Sequence, residues 1–171
     1  MRKVKIITAD EAAKLVKNGD TITTSGFVAS AIPEALNKAV EKRFLETGEP
    51  NNLTYVYCGS QGNKDGRGAE HYAHEGMLKR YIAGHWATVP ALVKMALENK
   101  MEAYNVSQGA LCHLFRDIAA HKPGTFTKVG LGTFIDPRNG GGKVNDITKE
   151  DIIELVNIKG QDYLFYPAFP I

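Results

Sequence analysis

Two hydrophobic periods alternate along this chain. Alternating or short unbroken apolar runs mark strands, and apolar positions three and four apart mark helices. Thr8-Ala9-Asp10-Glu11 has the spacing of a capping box. An apolar face of Ala12, Ala13, Leu15 and Val16 follows it, and Gly19 stops the helix. A strand is then expected over Asp20 to Ser25, where Thr21, Ile22, Thr23 and Thr24 are β-branched and favour extended backbone. It breaks at Gly26-Phe27. Pro33, preset in φ and lacking an N–H, opens a second helix with an apolar face of Ile32, Leu36, Ala39, Val40 and Phe44. The run LTYVYC, Leu53 to Cys58, has little polar relief, as a strand buried on both faces requires.

Tyr81–Ala83, Glu102–Val106 and Phe126–Val129 read as further strands, with a helix from about Val89 to Glu98 between the first two. The most regular helix begins near Gln108: Leu111, Leu114, Phe115, Ile118 and Ala119 recur on one face until Pro123-Gly124. Repeated strand–helix units imply an α/β fold, an open parallel sheet with helices on both faces. Asp20–Ser25, Leu53–Cys58 and Phe126–Val129 are expected in that one sheet. After Asp136 the pattern changes. PRNGGGK reads as a flexible loop, and IIELVNIKGQDYLFY as a C-terminal β-hairpin extension turning at Lys159-Gly160.

Composition narrows the function classes. A net charge of +2 with scattered lysines gives no electrostatic footprint for nucleic acid. No apolar run reaches transmembrane length, and the first residues lack a secretory signal, so no membrane partner is expected. The two cysteines, Cys58 and Cys112, suit a reducing, cytoplasmic setting. The apolar ending Tyr166 to Ile171 suggests that residues 1–171 are a truncated domain.

Candidate chemistry gathers where strands meet turns. Gly26-Phe27, between strand and helix, aims backbone N–H groups at a carboxylate or phosphate above the sheet. Gln108 stands between a strand end and a helix start, where its amide serves either a substrate carboxylate or the helix cap. Gly59, Ser60, Gln61 and Gly62 follow LTYVYC and read as an anion-binding nest, with Asn63 to Gly68 a surface loop. Gly130-Leu131-Gly132 is either a backbone wall or a tight turn, and it lacks the third glycine of a dinucleotide fingerprint. A parallel sheet would put Gly26, Gly59, Gln108 and Gly130 at one edge. His71, His74 and Glu75 lack a complete ligand set, so surface or capping roles are expected and no metal. Cys58 and Cys112 sit in hydrophobic patterns that favour buried packing. No G-x-S-x-G nucleophile motif occurs.

The segment NGDTITTSGFVASAIP, Asn18 to Pro33, resembles the first signature of the family I coenzyme A transferases of the acetate/propionate type. Asn18-Gly19, Gly26-Phe27 and Pro33 match; Ser25 and Ala31 replace glycines, and Thr23 and Thr24 replace apolar strand residues. LTYVYCGSQG, SQGALCHLFRDIAA and KPGTFTKVGLGTFIDP follow in the order of the family's N-terminal portion. The resemblance implies that CoA moves from a short-chain acyl-CoA to a carboxylate such as acetate through a glutamyl-CoA thioester, with CoA as substrate and no cofactor. It places the nucleophilic glutamate in a C-terminal half that this chain lacks. Catalytic residues are therefore expected elsewhere, and Gln108, Gly26, Phe27, Gly59, Ser60, Gly130 and Gly132 are left as substrate-binding candidates. The implied partners are that missing half and, in the intact enzyme, further copies of itself. The competing reading is a non-catalytic ligand-binding or regulatory domain on the same plan.

Overall fold

The computed structural model describes residues 4–171. Strands β1 (Thr21–Ile22), β2 (Leu53–Tyr57), β3 (Leu78–Ala83) and β4 (Glu102–Asn105) form a parallel sheet in chain order, in register at Thr21–Thr54, Tyr55–Tyr81 and Tyr81–Ala103. The pleat sends Leu53, Tyr55, Tyr57 and Tyr81 to one face and Val56, Ile82 and Tyr104 to the other. Helices α1 (Ala9–Ala13), α2 (Glu34–Thr47) and α3 (Pro90–Leu97) cover the first face through Ala13, Ala39, Val40, Leu92 and Met95. Helix α4 (Gln108–Ala119) covers the second through Ala110, Leu111 and Leu114. Aromatic packing stiffens the first core: Tyr55 lies 5.0 Å from Tyr72 and 5.5 Å from Tyr81, which meets Trp86 edge-on at 4.7 Å.

Local signals explain these elements. The capping box forms as the spacing requires, the Glu11 N–H donating to Thr8 Oγ1 at 3.2 Å and the Thr8 N–H to Glu11 Oε2 at 2.8 Å. Helix α2 ends at Gly48 in the left-handed conformation, φ 74°. Helix α3 begins at Pro90, after Val89. The C-terminal hairpin, β6 (Glu154–Ile158) with β7 (Gln161–Pro167), turns at Lys159 (φ 51°) and Gly160 (φ 81°), the backbone of a type I′ turn.

Three expectations need correction. The strand expected over Phe126–Val129 is β5 (Gly124–Thr127), and it belongs to a second, antiparallel sheet of order β5-β7-β6. Its alternating sequence fits a half-exposed antiparallel strand: Phe126, exposed, stacks on Phe165 at 4.5 Å while Thr125 is buried. The strand expected over Asp20–Ser25 pairs only through Thr21–Ile22, because Thr24 and Ser25 are bound by the side chain of Gln61 rather than by the ladder. The PRNGGGK segment, expected to be a flexible loop, is pinned to the edge of β4. The Asn105 N–H donates to the Gly142 carbonyl at 2.8 Å and the Val144 N–H to the Ala103 carbonyl at 2.9 Å. A Cβ on Gly142 would lie 2.7 Å from the Asn105 carbonyl oxygen, so the approach needs glycine.

Candidate substrate site

The loops leaving β1, β2, β3 and β4 meet at the C-terminal edge of the parallel sheet, where open α/β sheets bind ligands. Gly59 and Gly84 make the meeting possible. A Cβ on Gly59 would sit 3.4 Å from Phe27 Cε2 and 3.5 Å from Gln108 Nε2. One on Gly84 would sit 2.3 Å from the Cys58 carbonyl oxygen and 2.7 Å from Gln108 Cα. Three of the expected residues, Phe27, Gly59 and Gln108, therefore converge around one point.

Gln108 is the first residue of α4 and is exposed. The cap belongs to its neighbour: Ser107 Oγ accepts the Ala110 N–H at 3.3 Å. The Gln108 amide is thereby spared that duty and lies over Gly59. Phe27 is 59% exposed on a turn closed in both directions, with Phe27 and Ser30 exchanging N–H···O=C bonds of 2.9 Å. Gly26, at φ 111°, is the pivot; a Cβ there would lie 2.8 Å from the Ser30 carbonyl oxygen. Ser60 is fully buried, its hydroxyl hydrogen-bonded to that of Thr88 and its carbonyl accepting the Val28 N–H at 3.0 Å. It holds the wall from behind, with its side chain already engaged.

Gly130 and Gly132 follow β5, so they do not share the parallel-sheet edge with Gly26, Gly59 and Gln108. Gly130 packs on Leu164 and Ile135, and the Gly132 N–H donates to Asp136 Oδ2 at 2.9 Å. Asp136 also accepts the Arg138 backbone N–H at 3.0 Å and its guanidinium Nη2 at 2.7 Å, and these bonds hold its carboxyl well below the usual range. The turn's purpose seen here is to carry this ion pair onto β7, where Arg138 reaches Asp162 at 3.1 Å.

Beside the convergence, a cleft of about 480 Å³ runs between α4 and β5, lined among others by Ser107, Gly109, His113, Arg116, Phe126 and Val129. Cys58 stands behind Gly59, half-buried, and its thiol pKa is pushed up to about 12 by burial first and by Cys112 second. It is a poor nucleophile at neutral pH. Cys112, expected in the core, is exposed, since it faces away from the Leu111–Leu114 stripe of α4.

The histidines also differ from expectation. His71 is buried, with Nδ1 2.6 Å from Glu41 Oε2 and Nε2 2.8 Å from Glu34 Oε1, while His74 Nε2 lies 2.7 Å from Glu41 Oε1. Burial raises the Glu34 pKa, but the hydrogen bonds from His71 and the Gly68 N–H outweigh it and leave the carboxyl below its ordinary value. This cluster ties α2 to the 3₁₀ turn Gly68–Tyr72. Among the described residues no group of three or more His, Cys, Asp or Glu side chains is arranged to hold a metal ion.

Gln61, expected in an anion-binding nest, instead turns its side chain into the core. It is fully buried and binds Thr24, Ser25, Asn37 and Tyr55. Its glycine-rich neighbours point to a nest, whereas its partners come from the β1 end, α2 and β2, which no local pattern brings together.

The model of the family described as "Coenzyme A transferase" matches residues 6–171. Caffeate CoA-transferase of Acetobacterium woodii is 40% identical over 167 residues, covering 98% of this chain and 32% of that protein. Acetate CoA-transferase YdiF of Escherichia coli K12 is 38% identical over 168 residues, covering 97% and 32%. The crystal structure of the acyl-CoA transferase YdiF from E. coli O157:H7 in a thioester complex with CoA superimposes with a TM-score of 0.88 at 36% identity, over 95% of this chain and 32% of that one. The chain thus spans about a third of the length of these relatives.

Proposed function

Because this chain belongs to the coenzyme A transferase family, we propose that it supplies a substrate-holding wall of an acyl-CoA:carboxylate CoA-transferase. The observation that carries this reading is the convergence of Phe27, Gly59 and Gln108 at the sheet's C-terminal edge. An exposed amide next to an apolar ring and a bare backbone suits a short acyl group ending in a carboxylate or thioester oxygen. The substrates are a short-chain acyl-CoA and an acceptor such as acetate; CoA is a substrate and no cofactor takes part.

The nucleophile is a glutamate of the portion that makes up the rest of the relatives. Its carboxylate attacks the thioester carbonyl and expels the CoA thiolate, leaving an acyl-glutamyl anhydride. The thiolate then attacks the glutamyl carbonyl, releasing the first carboxylate and forming a glutamyl-CoA thioester. The acceptor carboxylate reverses both steps and leaves as the new acyl-CoA. Gln108 and neighbouring N–H groups donate to the oxygen that gains charge in each addition. Residues 1–171 form the N-terminal domain's leading part in this scheme, which works in the cytoplasm with the remaining portion and as a homo-oligomer. Among the described residues no helix is long and apolar enough to cross a membrane.

The test is exchange of labelled acetate into acetyl-CoA. The chain alone is expected to show none. Joined to the remaining two thirds of the A. woodii relative, it should exchange label through a covalent enzyme-bound CoA detectable by mass. Exchange by the chain alone, or an inactive assembled hybrid with a native-like melt, would overturn the reading in favour of a non-catalytic binding domain.

A further inference from the structure

We propose that Gln61 is a positioning residue: a buried latch that holds the segment Gly26–Ala31 in a strained conformation and so sets Phe27 beside Gln108. Both ends of its amide are engaged. Nε2 donates to the Ser25 carbonyl, and Oε1 accepts from the Thr24 hydroxyl at 2.9 Å, the Asn37 amide at 3.3 Å and the Tyr55 hydroxyl at 3.4 Å. Its main chain is held too, the Ala69 N–H donating to the Gln61 carbonyl at 2.8 Å. Gln61 bridges Val28 in a parallel pair, framed by bonds from the Val28 N–H to Ser60 and from the Gly62 N–H to Val28 at 2.9 Å. The side chain thereby joins the end of β1 to β2 and α2, while the main chain on either side of it holds Val28 in the turn.

The turn needs such a hold. Val28 has φ 53° and Ala31 φ 54°, the left-handed region that a β-branched residue rarely enters and alanine seldom. Strain of this kind persists only where surrounding structure over-determines it. Here the over-determination comes from the Gln61 side chain, which fixes Thr24 and Ser25 just before the turn, together with the Ser60 carbonyl and Gly62 N–H that hold Val28 within it. What the strained shape displays is an aromatic ring 59% open to solvent, at van der Waals distance from the Gly59 position that Gln108 also faces. Released, the backbone would relax toward ordinary dihedrals and the ring would leave Gln108. The functional meaning of the latch rests on the substrate-site reading above; its mechanical part does not.

Residue-resolved hydrogen exchange on the 171-residue chain tests the latch. Gln61→Ala should lower protection at the Phe27, Val28 and Gly62 amides by about tenfold or more, while Tyr81, Ile82 and Leu114 keep theirs. Adding Val28→Gly, which removes the cost of the left-handed backbone, should bring the loop protection back to within about threefold. If Gln61→Ala does not fold, Gln61→Met keeps the volume and carries the same test. A uniform loss of protection, an unchanged loop, or a failure of Val28→Gly to restore it overturns the proposal. In the hybrid enzyme the same pair of changes should lower and then restore kcat. Restored loop protection without restored kcat would contradict the positioning role. An unsubstituted hybrid that is inactive would sink the substrate-site reading and leave the exchange result to decide the latch.

Discussion

Placing a methyl group at Gly84 probes the packing that makes the site. Gly84 follows β3, and its φ lies outside the left-handed region, so alanine meets no backbone restriction. The space is the obstacle. A Cβ would stand 2.3 Å from the Cys58 carbonyl oxygen and 2.7 Å from both Cα and Cβ of Gln108, backbone or near-backbone atoms at the end of β2 and the start of α4. Ordinary contact begins near 3.5 Å, so these segments must separate by about an ångström. Overpacking of this degree costs about 1–3 kcal/mol. With about 2–4 °C per kcal/mol for a domain of this size, Gly84→Ala should melt roughly 2–12 °C below the parent. The matched control is Gly109→Ala, in the first turn of α4 with no atom within 4 Å of its Cβ position. It should gain about 0.5–1 kcal/mol from helix propensity. Paired melts by circular dichroism, with calorimetry for the enthalpy, give both shifts. A Gly84→Ala variant that melts with or above the parent would refute the close approach of β2, β3 and α4 on which the convergence depends.

Other consequences are as direct. Gln108→Ala should leave the melt nearly unchanged, because Ser107 provides the cap, yet lower exchange in the hybrid enzyme by roughly tenfold or more for the loss of a hydrogen bond of about 1–2 kcal/mol; thermal melts and initial rates separate the two. Leu114→Ala should cost about 2–5 kcal/mol in a denaturant titration, since this fully enclosed side chain fills the core beneath α4. Asp136 is held well below the usual carboxylate range by the Arg138 guanidinium and the Gly132 N–H. A depressed folded-state pKa adds stability that is full above the unfolded value, about 3.9, and is lost as pH falls through the folded one. Asp136→Asn should therefore be less stable than the parent at pH 7, and the gap should narrow as pH falls below about 4; urea midpoints across pH 2–7 measure it.

Much of this fold was legible because its signals are local. The capping box at Thr8, Pro33 before α2, the α4 stripe of Leu111 and Leu114, and the hairpin turn at Lys159-Gly160 each carry their cause within a few residues. The parallel core of β2 could be read from LTYVYC for the same reason. What failed was non-local. Phe126–Val129 has strand propensity, but nothing in four residues distinguishes a central parallel strand from one that pairs with β7 about forty positions later. The Gly140–Gly142 run looks mobile until the Asn105 N–H is seen to need its carbonyl. His71 reads as a surface histidine because its carboxylate partners lie on α2, 30 and 37 residues away. At the site, Gln108 and Gly59 could be picked out by position after strands. The duties of Ser60 and Gln61 could not, since they depend on which side chains the folded sheet brings behind the turn.

If acyl-CoA is held at the edge formed by Phe27, Gly59 and Gln108, chemical-shift mapping will locate it there. The present chain, isotope-labelled, would be joined to the unlabelled remainder of the A. woodii relative and titrated with acetyl-CoA. Saturable shifts are expected at the Phe27 and Gly59 amides and at the Gln108 side-chain amide. Residues at the opposite ends of the same strands, Asn52, Met77 and Met101, should stay still. Shifts confined to that opposite edge, or saturable binding that leaves Phe27, Gly59 and Gln108 unmoved, would contradict that placement.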